Sequence, residues 1–134
     1  MKKSLILITM IVASMFIFAA CTQTTTPTGK AIATGDVKEF EIESYTLVVD
    51  GKYYPQFTPQ EIVVNKGDTV RLKVKVTSGT HDFHIDKFNV HTATPLDKET
   101  VVEFVADESG EFIMYCNMPG HRSVGHFGIL NVKG

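Results

Sequence analysis

The chain has 134 residues, with 13 Lys and Arg against 15 Asp and Glu and only two cysteines. A net charge of −2 offers no basic surface to a phosphate backbone, so nucleic acid is not an expected partner. The length allows one domain with an appendage, and not two independent cores.

The appendage is N-terminal. Met1-Lys2-Lys3 precedes an uncharged run from Ser4 to Ala20, which has the basic, apolar and small-residue parts of an export signal. Ala19-Ala20-Cys21 is similar to the lipobox of bacterial-type lipoproteins, with Phe18 where that motif has Leu, and this would make Cys21 a lipidated first residue. An uncleaved membrane anchor is the alternative, although 17 residues fall short of the roughly 20 that cross a bilayer. Both readings leave the remaining chain outside the cytoplasm, tethered to the outer side of the cell membrane in the periplasm or at the cell surface. That remainder has 11 basic and 15 acidic residues, a net of −4, because residues 1–20 hold two lysines and no acids.

Residues 21–36 are rich in Thr, Pro and Gly and carry too little apolar surface to fold, so they read as a tether. Residues 37–134 are left for a single domain. With Cys21 assigned to the N-terminus, Cys116 has no disulfide partner, and an exported domain that keeps one thiol has a use for it.

The domain reads as strands. Val70, Leu72, Val74 and Val76 alternate with Arg71, Lys73 and Lys75, a period of two that gives one buried and one wet face. Further runs fall at 38–49, 60–65, 80–86, 99–106, 110–117 and 127–133, separated by the turn clusters NKGD, TSG and DESG. Strands of this length and spacing predict an all-β, antiparallel Greek-key sandwich of about seven to eight strands. Tyr53, Tyr54 and Phe57, ahead of the second run, are assigned to packing.

Strand parity then places the residues that carry chemistry. Phe112, Met114 and Cys116 share a face, as do His81, Phe83 and Ile85. After Cys116 the chain turns through Pro119-Gly120, which leaves His121 in a loop and His126 where the last strand begins. One thiolate and up to three imidazoles can converge at one end of the sandwich, a donor set suited to copper, with zinc the other candidate. A cysteine nucleophile with His121 as base lacks an orienting third residue. His84 lies on the opposite strand face from His81 and His91 in the following turn, and both read as surface histidines.

The segments FTPQEIVVNKGDTV, THDFHIDKFNVHT and YCNMPGHRSVGHFGILNV resemble the cupredoxins, the small blue-copper proteins of plastocyanin or azurin type, over roughly residues 38–133. The resemblance implies that one copper ion is held by His81, Cys116 and His121, and that Asp82 hydrogen-bonds to the cysteine loop. It also implies a one-electron carrier, not an enzyme, working between redox protein donors and acceptors. The fourth position departs from the pattern: His126 stands where similar sequences have the weak axial methionine, and Met118 is the alternative axial donor. The stretch DFHIDKFNVHT also resembles nitrosocyanin and the copper domain of cytochrome oxidase subunit II, but the latter's dinuclear centre needs a second loop cysteine where this chain has Gly120. A copper-delivery protein, or a zinc-binding domain with one cysteine and three histidine ligands, would use the same residues. With an ordinary imidazole pKa of about 6.5, His126 is expected to protonate and detach in mild acid.

Overall fold

The computed structural model describes residues 33–134. The export segment, Cys21 and most of the expected tether lie outside the described residues. Nine strands follow in chain order: β1 (Val37–Val49), β2 (Lys52–Thr58), β3 (Glu61–Asn65), β4 (Thr69–Val76), β5 (His81–Ile85), β6 (Val90–Thr94), β7 (Glu99–Val105), β8 (Gly110–Tyr115) and β9 (Phe127–Lys133). They build a sandwich of two sheets, ordered β2-β1-β4-β7 and β3-β9-β8-β5-β6. The only helical turns among the described residues are short 3-10 segments at Asp86–Phe88 and Arg122–Val124.

Period-two patterning gives the core directly. Val70, Leu72, Val74 and Val76 of β4 are fully buried, and the first three share a core cluster with Phe83 and Ile85 of β5, Met114 of β8 and Leu130 of β9 from the opposite sheet. Outside, Arg71 and Lys73 pair with Glu39 and Glu103 across neighbouring strands. These pairs are solvent-exposed and contribute little. The sandwich depends on the apolar rows.

The all-β sandwich holds, with two differences in detail. There are nine strands, because β2 and β6 are strands where the sequence pattern suggests loop or turn. Both lie at sheet edges. Pro55 interrupts the β2 pattern, but an edge strand tolerates a missing backbone donor. His91 therefore sits on β6, directly opposite His84 of β5, and not in a turn. Second, β1 runs parallel to β4 and β3 parallel to β9, so both sheets are mixed and not purely antiparallel. Crossing between the sheets brings strands that run the same way side by side, which no local pattern announces. Contacts to the domain are also made before residue 37: the Thr34 and Gly35 amides both donate to Gly67 O at 3.0 Å, and the Asp36 amide donates to Asp68 Oδ1.

One consequence of the topology matters for function. Strand β8 is antiparallel to both β5 and β9, so the start of β5, the end of β8 and the start of β9 meet at one end of the sheet. Those are the positions of His81, Cys116 and His126. Gly128 is needed just inside β9, where an added Cβ would stand 2.6 Å from Gln60 O and 3.1 Å from Met114 Cε. Gly128→Ala should destabilise the protein by about 1–3 kcal/mol through overpacking, read as a lower denaturant midpoint at unchanged slope.

Candidate metal centre

His81 Nδ1 lies 3.3 Å from His121 Nδ1 and 4.0 Å from Cys116 Sγ, and His121 Nδ1 is 3.5 Å from the same sulfur. With His126, each residue offers one donor atom, and all four atoms lie within 4.8 Å of one another. His81, Cys116 and His126 are buried, and His121 alone is half-buried at the rim. The structure thus gathers the four residues that the sequence reading placed at one end of the sandwich.

The opposite sheet orients two of the imidazoles. His81 Nε2 is 2.9 Å from Ser78 O and 3.2 Å from Thr46 Oγ1. Because a carbonyl can only accept, the ring carries its proton on Nε2 and turns an unprotonated Nδ1 into the cluster. His126 Nε2 is 3.2 Å from Ser44 Oγ, and Phe57 packs on the same ring with centroids 4.1 Å apart. Sequence reasoning missed these supports, although β1 carried a signal. Its inward row Phe40, Ile42, Ser44, Thr46 turns from apolar to hydroxyl where it reaches the histidines.

Burial sets the protonation states. It pushes His126 down to about 3, with His81 and His121 adding like-charge repulsion, and it also lowers His81. In the metal-free site His126 therefore resists protonation well below the ordinary imidazole pKa, and more acid is needed to charge it than its residue type alone implies. The Cys116 thiol is pushed up to about 11, chiefly by burial. A thiol so reluctant to ionise is a poor free nucleophile, which argues against the cysteine–base reading.

Asp82 lies beside the centre. Its Oδ1 accepts a 2.6 Å hydrogen bond from the Asn117 amide, which fastens β5 to the cysteine loop. Burial would raise this carboxyl, but the Asn117 amide and His84 outweigh it and hold it below the usual range. Met118 packs, partly buried, against the core. His84 and His91 stay outside the cluster on the other face of the sheet. His84 is largely covered by Tyr115, with ring centroids 5.4 Å apart, and is not a free surface residue.

The donor set fits one copper ion. His126 Nδ1 is buried without a hydrogen-bond partner, a costly state for a polar atom that a metal bond would relieve. One thiolate with imidazoles is also a soft and borderline set that copper binds above zinc.

The Cupredoxin-like domain family model matches residues 8–127, and the chain belongs to that family. Over 66 residues it is 38% identical to a nitrous-oxide reductase of Cupriavidus necator, a match covering 46% of this chain and 10% of that enzyme. Among solved structures it is similar to a copper-containing nitrite reductase of Thermus scotoductus, with TM-score 0.61 and 22% identity over 74% of this chain and 28% of the other. It is also similar to dithionite-reduced auracyanin of Roseiflexus castenholzii, with TM-score 0.56 and 17% identity over 75% of this chain and all of the other, 100%. The chain spans about a tenth of the reductase it matches in sequence, and the structural likenesses establish the fold.

The buried imidazoles make the metal-free protein acid-sensitive. The unfolded His126 ring takes up a proton below about 6.5, whereas the folded ring resists until about 3. Stability is therefore complete above pH 6.5 and falls as pH drops toward 3, because the unfolded state binds the extra proton. The denaturant midpoint of metal-free protein should decline steadily from pH 7 to pH 4. His126→Leu should flatten most of that decline, with His81 responsible for the remainder.

Proposed function

We propose that this protein is a one-electron carrier, tethered outside the cytoplasmic membrane, whose single copper is held by His81, Cys116, His121 and His126. The observation that carries the reading is the closed donor cluster itself: His81 at the start of β5 with Cys116, His121 and His126 from the segment joining β8 to β9, and buried His126 Nδ1 left unpartnered. When bound, the ion supplies the Cu(II)/Cu(I) couple, and a thiolate with imidazoles accommodates both states. The chain's contribution is rigidity. Ser78 O and Thr46 Oγ1 fix His81, Ser44 and Phe57 fix His126, and the Asp82–Asn117 bond fixes the cysteine loop. Little is free to move when charge changes, which favours transfer over release.

The rim supports a carrier as well. His121 borders a depression of about 640 Å³ lined also by Thr46, Val48, Tyr53, Pro55 and Val124. Val48, Tyr53 and Val124 are more than half exposed, an apolar collar suited to brief docking of donor and acceptor proteins. Gly79 keeps this edge thin, since an added Cβ there would come within 2.7 Å of His81 Nε2.

Copper-loaded protein should show an intense thiolate-to-copper band in the visible, absent in Cys116→Ser, and a reversible one-electron wave with copper retained in both states. Transfer of the reduced metal to a modest Cu(I) chelator would replace this reading with copper delivery, and a colourless protein that retains zinc would sink both.

The fourth ligand has its own test. An imidazole nitrogen is a harder and stronger donor than a thioether and favours Cu(II), so the wild type should be green or red with a low potential. His126→Met should give a bluer site at higher potential. Identical spectra and potentials in the two proteins would remove His126 from the ligand set and leave Met118 or a carbonyl as the cap.

A further inference from the structure

On the outer face of the β5–β6 edge, His84 and His91 are direct cross-strand partners. Their Nδ1 atoms lie 2.9 Å apart. His84 is held from three sides: Tyr115 stacks on it, its backbone pairs with Tyr115 across β8, and Asp82 Oδ2 stands 3.0 Å from its Nε2. That last contact is too oblique to count as a regular hydrogen bond, but its electrostatics still favour a proton on Nε2. The neutral ring then presents an unprotonated Nδ1 toward His91. Asp86 lies alongside, with Oδ1 3.8 Å from His91 Nδ1 and fixed by a 2.8 Å bond from the Tyr115 hydroxyl.

We propose that His84 and His91 form a second metal site, separate from the cysteine centre, that takes a borderline divalent cation, Cu(II) foremost. Two nitrogens 2.9 Å apart, each roughly 2.0 Å from one ion, subtend roughly 90° at that ion. That is the cis angle of a tetragonal Cu(II) site and is narrower than the tetrahedral angle zinc prefers. Asp86 supplies a third, harder donor, and the exposed side of His91 leaves the remaining positions to water. Adjacent strands hold the two imidazoles in register, so little ordering is needed to chelate. With nitrogen and oxygen donors and no thiolate, the site is colourless by comparison with the first and stabilises the oxidised ion. An aspartate behind the ligating ring is the arrangement that orients metal-binding histidines.

The test begins with protein already carrying one copper. Cu(II) is added, loosely held metal is removed on a weak chelating resin, and copper is counted by elemental analysis beside the electron paramagnetic resonance spectrum. The expected result is a second retained equivalent, with a tetragonal signal showing coupling to two nitrogens and an unchanged thiolate band. His91→Gln, at an exposed edge position, should lose the second equivalent and its signal while keeping the first. Asp86→Asn should weaken the second equivalent about tenfold or more. A wild type that holds one copper with its thiolate band and retains no second equivalent, or equal uptake of two by His91→Gln, would overturn the proposal. If only one copper binds, without a thiolate band, and is lost in His91→Gln, the electron-carrier reading fails and this site stands.

Discussion

The centre is organised around a histidine sealed between two sheets. An imidazole removed from water is costly unless its nitrogens find partners, and here His126 has Ser44 for one nitrogen and nothing but the ligand cluster for the other. Ser44 belongs to β1 and Phe57 to β2, while His126 immediately precedes β9, so the contact exists only when the two sheets are docked. The depressed basicity of the ring, the need for a small inward residue at position 44, and the turn of the β1 row from apolar to polar all follow from it.

The second constraint is strand direction. Three strands that alternate in direction deliver His81, Cys116 and His126 to one end of one sheet, and a loop of five residues from Cys116 brings His121 back over the same point. Chemistry of this kind needs several donors held in one compact space with little freedom. A β-sheet end supplies that more rigidly than a long loop does, because His81, Cys116 and His126 are each anchored within a residue of a hydrogen-bonded ladder. The same alternation sends His84 and Tyr115 to the outer face, so one strand segment, His81 to Ile85, serves both sides of the sheet.

Much of this could be read from the amino acids alone. Alternation in β4 and β5 gave the buried rows, and parity along the β8 run put Cys116 on the inner face with Met114. What escaped was non-local. Strand β2 was hidden by Pro55, whose missing donor is harmless only because β2 is an edge, and edge position is a property of the whole sheet. Strand β6 is five residues long and follows a tight turn at Asn89, so His91 looked like turn and its pairing with His84 was invisible. The parallel pairings depend on crossovers, which leave no periodic trace. For His126 the residue type suggested a ligand, but its low basicity comes chiefly from burial, with His81 and His121 adding to it, and the covering Phe57 lies far away in the chain.

The bond from Ser44 to His126 joins residues 82 positions apart, while the four candidate ligands themselves span only 45 positions, from His81 to His126. Contacts of such separation form late in folding, since chain closure must precede the interactions that reward it. The two scales divide the life of the site. The second sheet carries all four candidate ligands, but without the first sheet His126 would lack both Ser44 and Phe57. Docking of the first sheet dries that imidazole and fixes its orientation. The electronic character of the bound ion is thereby a report on closure of the whole sandwich, and an ion seated in the finished pocket acts as a clasp on a contact that spans most of the folded chain.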